Sequence, residues 1–173
     1  YPADSKEELL ELVRANLTSK TKMILLSHVE TVTGLRWPIK EVSELIRGRD
    51  ILFIVDGAQA PGMFHIDLQD LGCDVYACSG HKWIMGPKET GILYLRQGIQ
   101  DRVNNVFIAG GYDVYSASSG TRNAPIIIGF GDVIDWHMAL GTSRIERHCM
   151  KLAKYCYSEL KKIKSIKIIS PND

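Results

Sequence analysis

Ile51-Leu52-Phe53-Ile54-Val55-Asp56-Gly57 is the stretch on which the fold turns. The run from Ile51 to Val55 is uninterrupted aliphatic and aromatic residues. That pattern marks a strand buried on both faces, as in a parallel sheet covered by helices. Asp56-Gly57 ends it with a common turn pair. The carboxylate of Asp56 therefore stands at the strand's carboxyl end.

Working outward, the neighbouring segments read as helices and further strands. Upstream, Gly34 to Pro38 is a break, and Pro38 suits the first turn of a helix carrying Ile39, Val42 and Ile46 as its apolar stripe. Gly48 is placed to stop that helix. Met23 to Val29 reads as a strand. Leu9, Leu12, Val13 and Leu17 fall at helical intervals, and Asp4 and Ser5 precede Glu7 and Glu8 at capping-box spacings. Downstream, a short helix at Leu68 to Leu71 leads to a strand over Val75 to Cys78, and Thr90 to Arg96 reads as another. Asp101 to Asn123 is irregular, with Gly110, Gly111 and Gly120. Ile126 to Leu140 is expected to be a buried helix. Ser143 and Glu146 suggest a capping box for a following helix, striped by Ile145, Cys149, Leu152, Cys156 and Ile163. Ile166 to Ile169 is expected to open a new strand. The alternation predicts an α/β fold with a mostly parallel sheet.

Composition sets limits. A 173-residue chain, 45% hydrophobic and 24% charged, can bury a sizeable core. A formal net charge of +1 argues against a nucleic-acid or acidic-membrane partner. No apolar run is long enough to span a membrane and no signal peptide is visible, so a reducing, cytoplasmic setting is expected. Cys73, Cys78, Cys149 and Cys156 form no C-x-x-C pair, which argues against zinc and thioredoxin-like chemistry. They are expected to be buried apolar thiols. The chain starts at Tyr1 and ends just after a short apolar run, and both ends look cut from something longer.

Ligands of open α/β sheets bind beyond the carboxyl ends of parallel strands. Three predicted strands deliver polar residues to that rim. The first ends near His28, Glu30 and Thr31. The second ends in Asp56, with Gln59 one turn on. The third ends in Ser79, His81 and Lys82. An amine of free pKa about 10.4 must lose a proton before it can act as a nucleophile at neutral pH. Pyridoxal-phosphate chemistry asks for such a lysine as a Schiff base, and for an acid paired to the pyridinium nitrogen. Asp56 could also be only a turn former, and Lys82 only a solvated loop lysine.

The run Val55-Asp56-Gly57-Ala58-Gln59-Ala60, then Asp67, then Gly72-Cys73-Asp74-Val75-Tyr76, then Ser79-Gly80-His81-Lys82-Trp83 and Gly86-Pro87, resembles the class V aminotransferases. These are fold-type I pyridoxal-phosphate enzymes that include cysteine desulfurases and isopenicillin N epimerase-like proteins. The resemblance runs from about Lys22 to Asn123. It implies that Lys82 is the Schiff-base lysine and Asp56 the pyridinium partner, these two carrying catalysis. It further implies that Gln59 hydrogen-bonds the phenolic oxygen of pyridoxal 5'-phosphate and that Ser79 and His81 contact its phosphate. Thr31 stands where desulfurases usually place an asparagine near the ring. Gly120-Thr121-Arg122-Asn123 resembles the segment that reaches the phosphate in the neighbouring subunit, with Thr121 as a cofactor contact. Glu89 stands where the family commonly has glycine, which makes the local turn conformation a point to check.

The resemblance therefore implies a homodimeric enzyme acting on a small amino-acid substrate, either a carbon–sulfur lyase or epimerase-like. A cysteine desulfurase is the alternative. A catalytically silent truncated homologue, serving as a binding or assembly module, is an alternative of another class. Residues 1–140 would form part of the cofactor-binding major domain. Residues 141–173 would be the connecting helix and the start of the small C-terminal domain. On this reading the chain is the middle of the enzyme and turns over nothing alone.

Overall fold

In the computed structural model, residues 5–104 and 123–171 are described. Helix α1 (Lys6–Asn16) is capped by Ser5, whose side chain accepts the Glu8 amide. Strand β1 (Met23–Ser27), helix α2 (Ile39–Leu45), strand β2 (Leu52–Asp56), the short helix α3 (Leu68–Leu71) and strand β3 (Val75–Ser79) follow in turn. Strand β4 (Gly91–Leu95) closes the sheet. Two long helices end the described chain, α4 (Ala124–Leu140) and α5 (Thr142–Leu160).

The four strands lie in sequence order. The pairs β1–β2 and β2–β3 are parallel, and β3–β4 is antiparallel. The sheet is thus mostly parallel, as the alternation of elements predicts. It also brings the carboxyl ends of β1, β2 and β3 to one edge. Asp74 stitches the strands together behind that edge. Its nearly buried carboxylate accepts the Phe53 amide at 2.8 Å and Arg96 Nε at 2.8 Å. Charge-assisted bonds of this kind satisfy an anion that burial would otherwise penalise.

One face of the sheet is covered. Phe53, Val55 and Tyr76 are at most 1% exposed and pack with Val13, Ile39, Val42 and Ile46 of the helical layer. Strand side chains alternate between faces, so Met23, Leu25, Ile54, Ala77 and Leu93 belong to the other face. There Met23, Leu25 and Leu93 are 55%, 62% and 48% exposed. β2 is therefore buried on one face and only half-buried on the other, which corrects the expectation of a strand buried on both.

Other expectations need correction at the C-terminal end. α4 forms as expected, but only Phe130 and His137 are buried. Ile127, Ile128 and Met138 are more than half exposed. The helix is apolar nearly all round, and one stripe of it meets the domain. Ser143 does not cap α5: the capping position is Gly141, with no side-chain bond. Glu146 is engaged elsewhere, accepting Arg36 Nη1 at 3.2 Å and the His65 amide at 3.4 Å. α5 buries no residue, so Leu152 and Cys156 stand exposed although the predicted stripe is present in the sequence. Ile163 lies beyond the helix, and Ile166 to Ile169 is irregular where a strand was expected. A strand needs a partner edge, and no described strand lies beside it.

His28 closes the core below the site. It is 2% exposed. Its Nδ1 lies 2.9 Å from Tyr76 Oη, and Phe64 sits edge-on to the ring. Burial, and then the charge of Arg36, push its pKa down to about 4. The folded value lies below the ordinary 6.5 of the unfolded chain, so the neutral ring contributes stability above that pH. That stability is lost as pH falls toward 4. Denaturant unfolding at pH 7 and 4.5 is expected to differ by roughly 2–3 kcal/mol from this residue. His28→Gln is expected to flatten that part of the profile. An unchanged pH dependence in the variant would assign it to other groups.

Candidate functional site

The site is built where three strand ends meet. Register aligns Ser27 with Asp56 and Asp56 with Ala77. These residues share the sheet face opposite the helical layer, and Ser79, two residues beyond Ala77, joins them. Val55 and Tyr76 point the other way, into the core. Asp56 is exposed, and its Oδ1 accepts the Ala58 amide at 2.8 Å. The turn-forming role of an Asp-Gly pair is thus real, but it engages one oxygen and leaves the carboxylate at the rim. Gly57 is required next to it, because a Cβ there would lie 2.0 Å from the Tyr76 ring.

Thr31 is carried to the same rim by a tight excursion after β1. The His28 amide donates to Asp56 O at 2.8 Å, and Trp37 N returns to His28 O at 2.9 Å. Thr31 Oγ1 accepts Gln59 Nε2 at 3.4 Å, and Gln59 Oε1 accepts Trp83 Nε1 at 2.9 Å. Two of the sequence-predicted residues, Thr31 and Gln59, are therefore in contact. Trp83 completes the chain; sequence analysis gave it no role in the site. Its position directly after Lys82 was the available signal.

Ser79-Gly80-His81-Lys82 leaves the end of β3 as expected, with Ser79 half-buried and His81 and Lys82 exposed. Among the described residues no hydrogen bond or ion pair engages the Lys82 amine. The turn behind it is closed by Met85 N to Lys82 O at 2.9 Å and Gly86 N to Gly80 O at 2.8 Å. A Cβ on Gly80 or Gly86 would meet the Phe130 ring at 2.7 and 2.6 Å. Those glycines let α4 seat against the turn. Met85 and Glu89 both hold positive φ, 64° and 67°. Glu89 thus keeps the left-handed turn at the position where the resemblance leads one to expect glycine, at a cost of order 1–3 kcal/mol.

Two other candidates do not join the rim, and a third cannot be placed against it. His28 turns into the core. Glu30 accepts Trp37 Nε1 at 3.2 Å. Thr121, with Gly120 and Arg122, lies outside the described residues. A cavity of about 560 Å³ between α1, α2 and α3 is lined by Arg36, Lys40, His65 and Asp67 but by none of Asp56, Gln59, Ser79, His81 and Lys82. It is therefore not the predicted site.

The residues present suit pyridoxal 5'-phosphate. A solvent-reachable primary amine, a strand-end carboxylate, a hydrogen-bonded amide and hydroxyl, and a further hydroxyl and imidazole all stand at or follow the carboxyl ends of β1, β2 and β3. The two thiols in and beside β3 are less suited to attack. Burial pushes Cys73 up to about 11 and raises Cys78 as well. A thiolate is the reactive form, so neither is an activated nucleophile. Among the described residues no cluster of His, Cys, Asp and Glu could hold a metal, and no helix is long and apolar enough to cross a membrane.

Comparison with known proteins bears on the family and the fold. The family model described as aminotransferase class V matches residues 2–173. A probable cysteine desulfurase of Halalkalibacterium halodurans is 31% identical over 94% of this chain and 43% of its own length. An isopenicillin N epimerase of Amycolatopsis lactamdurans is 30% identical over 98% of this chain and 48% of its own. The apo structure of a cysteine desulfurase from Thermococcus onnurineus superposes with a TM-score of 0.73 at 23% identity, covering 96% of this chain and 45% of that one. At that identity it speaks for the fold alone. The chain thus spans less than half the length of each of these relatives.

Proposed function

The chain belongs to the class V aminotransferase family, and from that membership we propose that the full-length protein is a pyridoxal 5'-phosphate enzyme acting on a small amino acid. The observation that carries this reading is the placement of Lys82 in the turn after β3, beside a rim where Asp56 ends the adjacent parallel strand. When bound, the cofactor supplies an electron-withdrawing ring that stabilises negative charge at the substrate's α-carbon. Lys82 would hold the cofactor covalently and, as a free amine, would move a proton at that carbon. Asp56 keeps the ring nitrogen protonated by its negative charge. Gln59, steadied by Thr31 and Trp83, orients the ring's phenolic oxygen, while Ser79 and His81 hold the phosphate. Thr121 contributes to the phosphate site of a partner subunit in a cytoplasmic homodimer. Residues 1–140 belong to the major domain and 141–173 lead into the small one.

Within that chemistry the reading is a carbon–sulfur lyase or an epimerase-like enzyme. The depressed reactivity of Cys73 and Cys78, the two thiols in and beside β3, supports it, since a desulfurase needs an exposed, ionisable thiol to attack sulfur; the exposed Cys156 stands on α5 and not at a strand end. The likeness to a probable cysteine desulfurase favours a second reading, in which that thiol lies outside this chain. Borohydride reduction of the full-length protein with pyridoxal 5'-phosphate tests the common core of both. The covalent label is expected on Lys82. A label on Lys88, or none, would overturn the reading and leave the silent binding module. Products then separate the two reactions. Pyruvate from a cysteine sulfoxide conjugate marks the lyase, and alanine from cysteine with an enzyme-bound persulfide marks the desulfurase.

A further inference from the structure

The turn that carries Lys82 contains a residue in a costly conformation. Met85 has φ 64°, in the left-handed region that a side chain with a Cβ disfavours. Such a residue persists only where its surroundings over-determine it. Here the peptide unit joining Ile84 to Met85 is held at both ends. Its N–H, on Met85, donates to Lys82 O at 2.9 Å. Its C=O, on Ile84, lies 2.9 Å from Nε2 of His137. A carbonyl can only accept, so His137 carries its proton on Nε2 and donates.

The partner is buried and committed to this contact. His137 is 6% exposed and Ile84 is 6% exposed. The other ring nitrogen, Nδ1, has no hydrogen-bond partner among the described residues. The ring therefore has one polar contact with the described protein, the Ile84 carbonyl. Without it that carbonyl would be a buried acceptor with no donor, which is the costly state for a backbone group. His137 lies seven residues after Phe130 on α4, on the same helix face. Phe130 packs against Gly80 and Gly86 at the two ends of the turn, so the helix grips the turn at its base and His137 at its tip. The backbone of Gly62 closes the other side, where a Cβ would lie 2.4 Å from the Trp83 carbonyl carbon.

We propose that His137 is a positioning residue for Lys82. Its Nε2–H fixes the Ile84–Met85 peptide plane, and so fixes the turn whose first carbonyl is that of Lys82 itself. Losing the donor frees the plane to rotate, Met85 relaxes from positive φ, and the Lys82 backbone loses its anchor. The consequence for the cofactor rests on the reading of Lys82 given above; the consequence for the turn does not.

The test separates the two, using the full-length protein without cofactor. His137→Phe keeps the buried ring and removes the donor. His137→Gln places an amide N–H near the position of Nε2. Hydrogen exchange at the Met85 amide is expected to quicken about tenfold in His137→Phe, with Tyr76 and other sheet amides unchanged, and to return near the original rate in His137→Gln. A mere packing role would move sheet and turn amides together and would be mended no better by glutamine. Added pyridoxal 5'-phosphate is expected to label Lys82 about tenfold more slowly in His137→Phe. Unchanged Met85 exchange in a folded His137→Phe protein, or equal exchange in the Phe and Gln variants, would overturn the proposal. Absence of any label in the unsubstituted protein would sink the cofactor reading, while the exchange rates would still judge the clamp. If His137→Phe does not fold, the pair His137→Phe with Met85→Gly decides. Glycine holds positive φ without strain, so the pair is expected to fold, and its failure to do so would count against the clamp.

Discussion

Lys82→Ala in the full-length protein is expected to abolish covalent cofactor attachment and to lower turnover by roughly 10⁴-fold or more. On the proposed reading two roles vanish with one amine, the covalent link and the proton carrier, and among the described residues no neighbouring lysine stands at the carboxyl end of a strand to replace it. The fold should hardly notice. Lys82 is exposed, and its amine makes no hydrogen bond or ion pair among the described residues. Removal of such a side chain changes stability by within about 0.5 kcal/mol. The measurement is turnover beside thermal unfolding of the same preparation, with Lys88→Ala as control. Lys88 is exposed too, six residues further along the same loop, and is expected to be nearly silent. Equal losses in the two variants would mean that general loop charge, and not a specific amine, underlies the activity.

The contrast between Lys82 and His137 shows what a sequence displays and what it hides. The position of Lys82 just beyond β3 was legible because strand, turn and motif follow one another in the chain. The apolar run before Asp56 gives the strand, the pleat gives the face, and parallel order gives the edge. His137 offers no local signal. It sits on an apolar helix 53 residues from the carbonyl it serves, and its partner is a backbone atom, which no residue type announces. Only its spacing from Phe130 hinted that the two share a face. Trp83 lies between these cases: its neighbour Lys82 marks the place, but the bond to Gln59 depends on how the turn after β2 folds back.

The misread elements fail for a related reason. Periodicity reports which residues could share a buried face, not whether anything lies against it. α5 has the stripe that sequence analysis finds, yet it buries none of it. The same holds for β2, where an unbroken apolar run was read as burial on both faces although only the alternate residues Ile51, Phe53 and Val55 are buried in the core beneath the helical layer. Ile166 to Ile169 is apolar enough for a strand, but strand pairing is a property of a neighbour. In each case the local preference is present and the partner decides.

Asp56→Asn gives the sharper test of mechanism, because it separates charge from architecture. The carboxylate does two things at once. Oδ1 accepts the Ala58 amide and shapes the turn after β2. The negative charge, on the proposed reading, holds a proton on the cofactor's ring nitrogen. Asparagine retains a side-chain carbonyl oxygen that can accept the same amide, and Asn-Gly serves in turns as Asp-Gly does. The turn, Gly57 against Tyr76 and the strand register should all survive, so thermal unfolding should stay close to that of the unsubstituted protein. Lys82 is untouched, and borohydride should still fix the label there. Turnover should nevertheless fall by about 10²–10³-fold, the usual consequence of removing one electrostatic partner from a reacting centre. Asp56→Ala removes the acceptor as well, and should add a loss of stability of about 1 kcal/mol from the freed amide. Near-normal turnover in Asp56→Asn, together with a destabilised Asp56→Ala, would reduce Asp56 to a turn residue and return the pyridinium partner to the search.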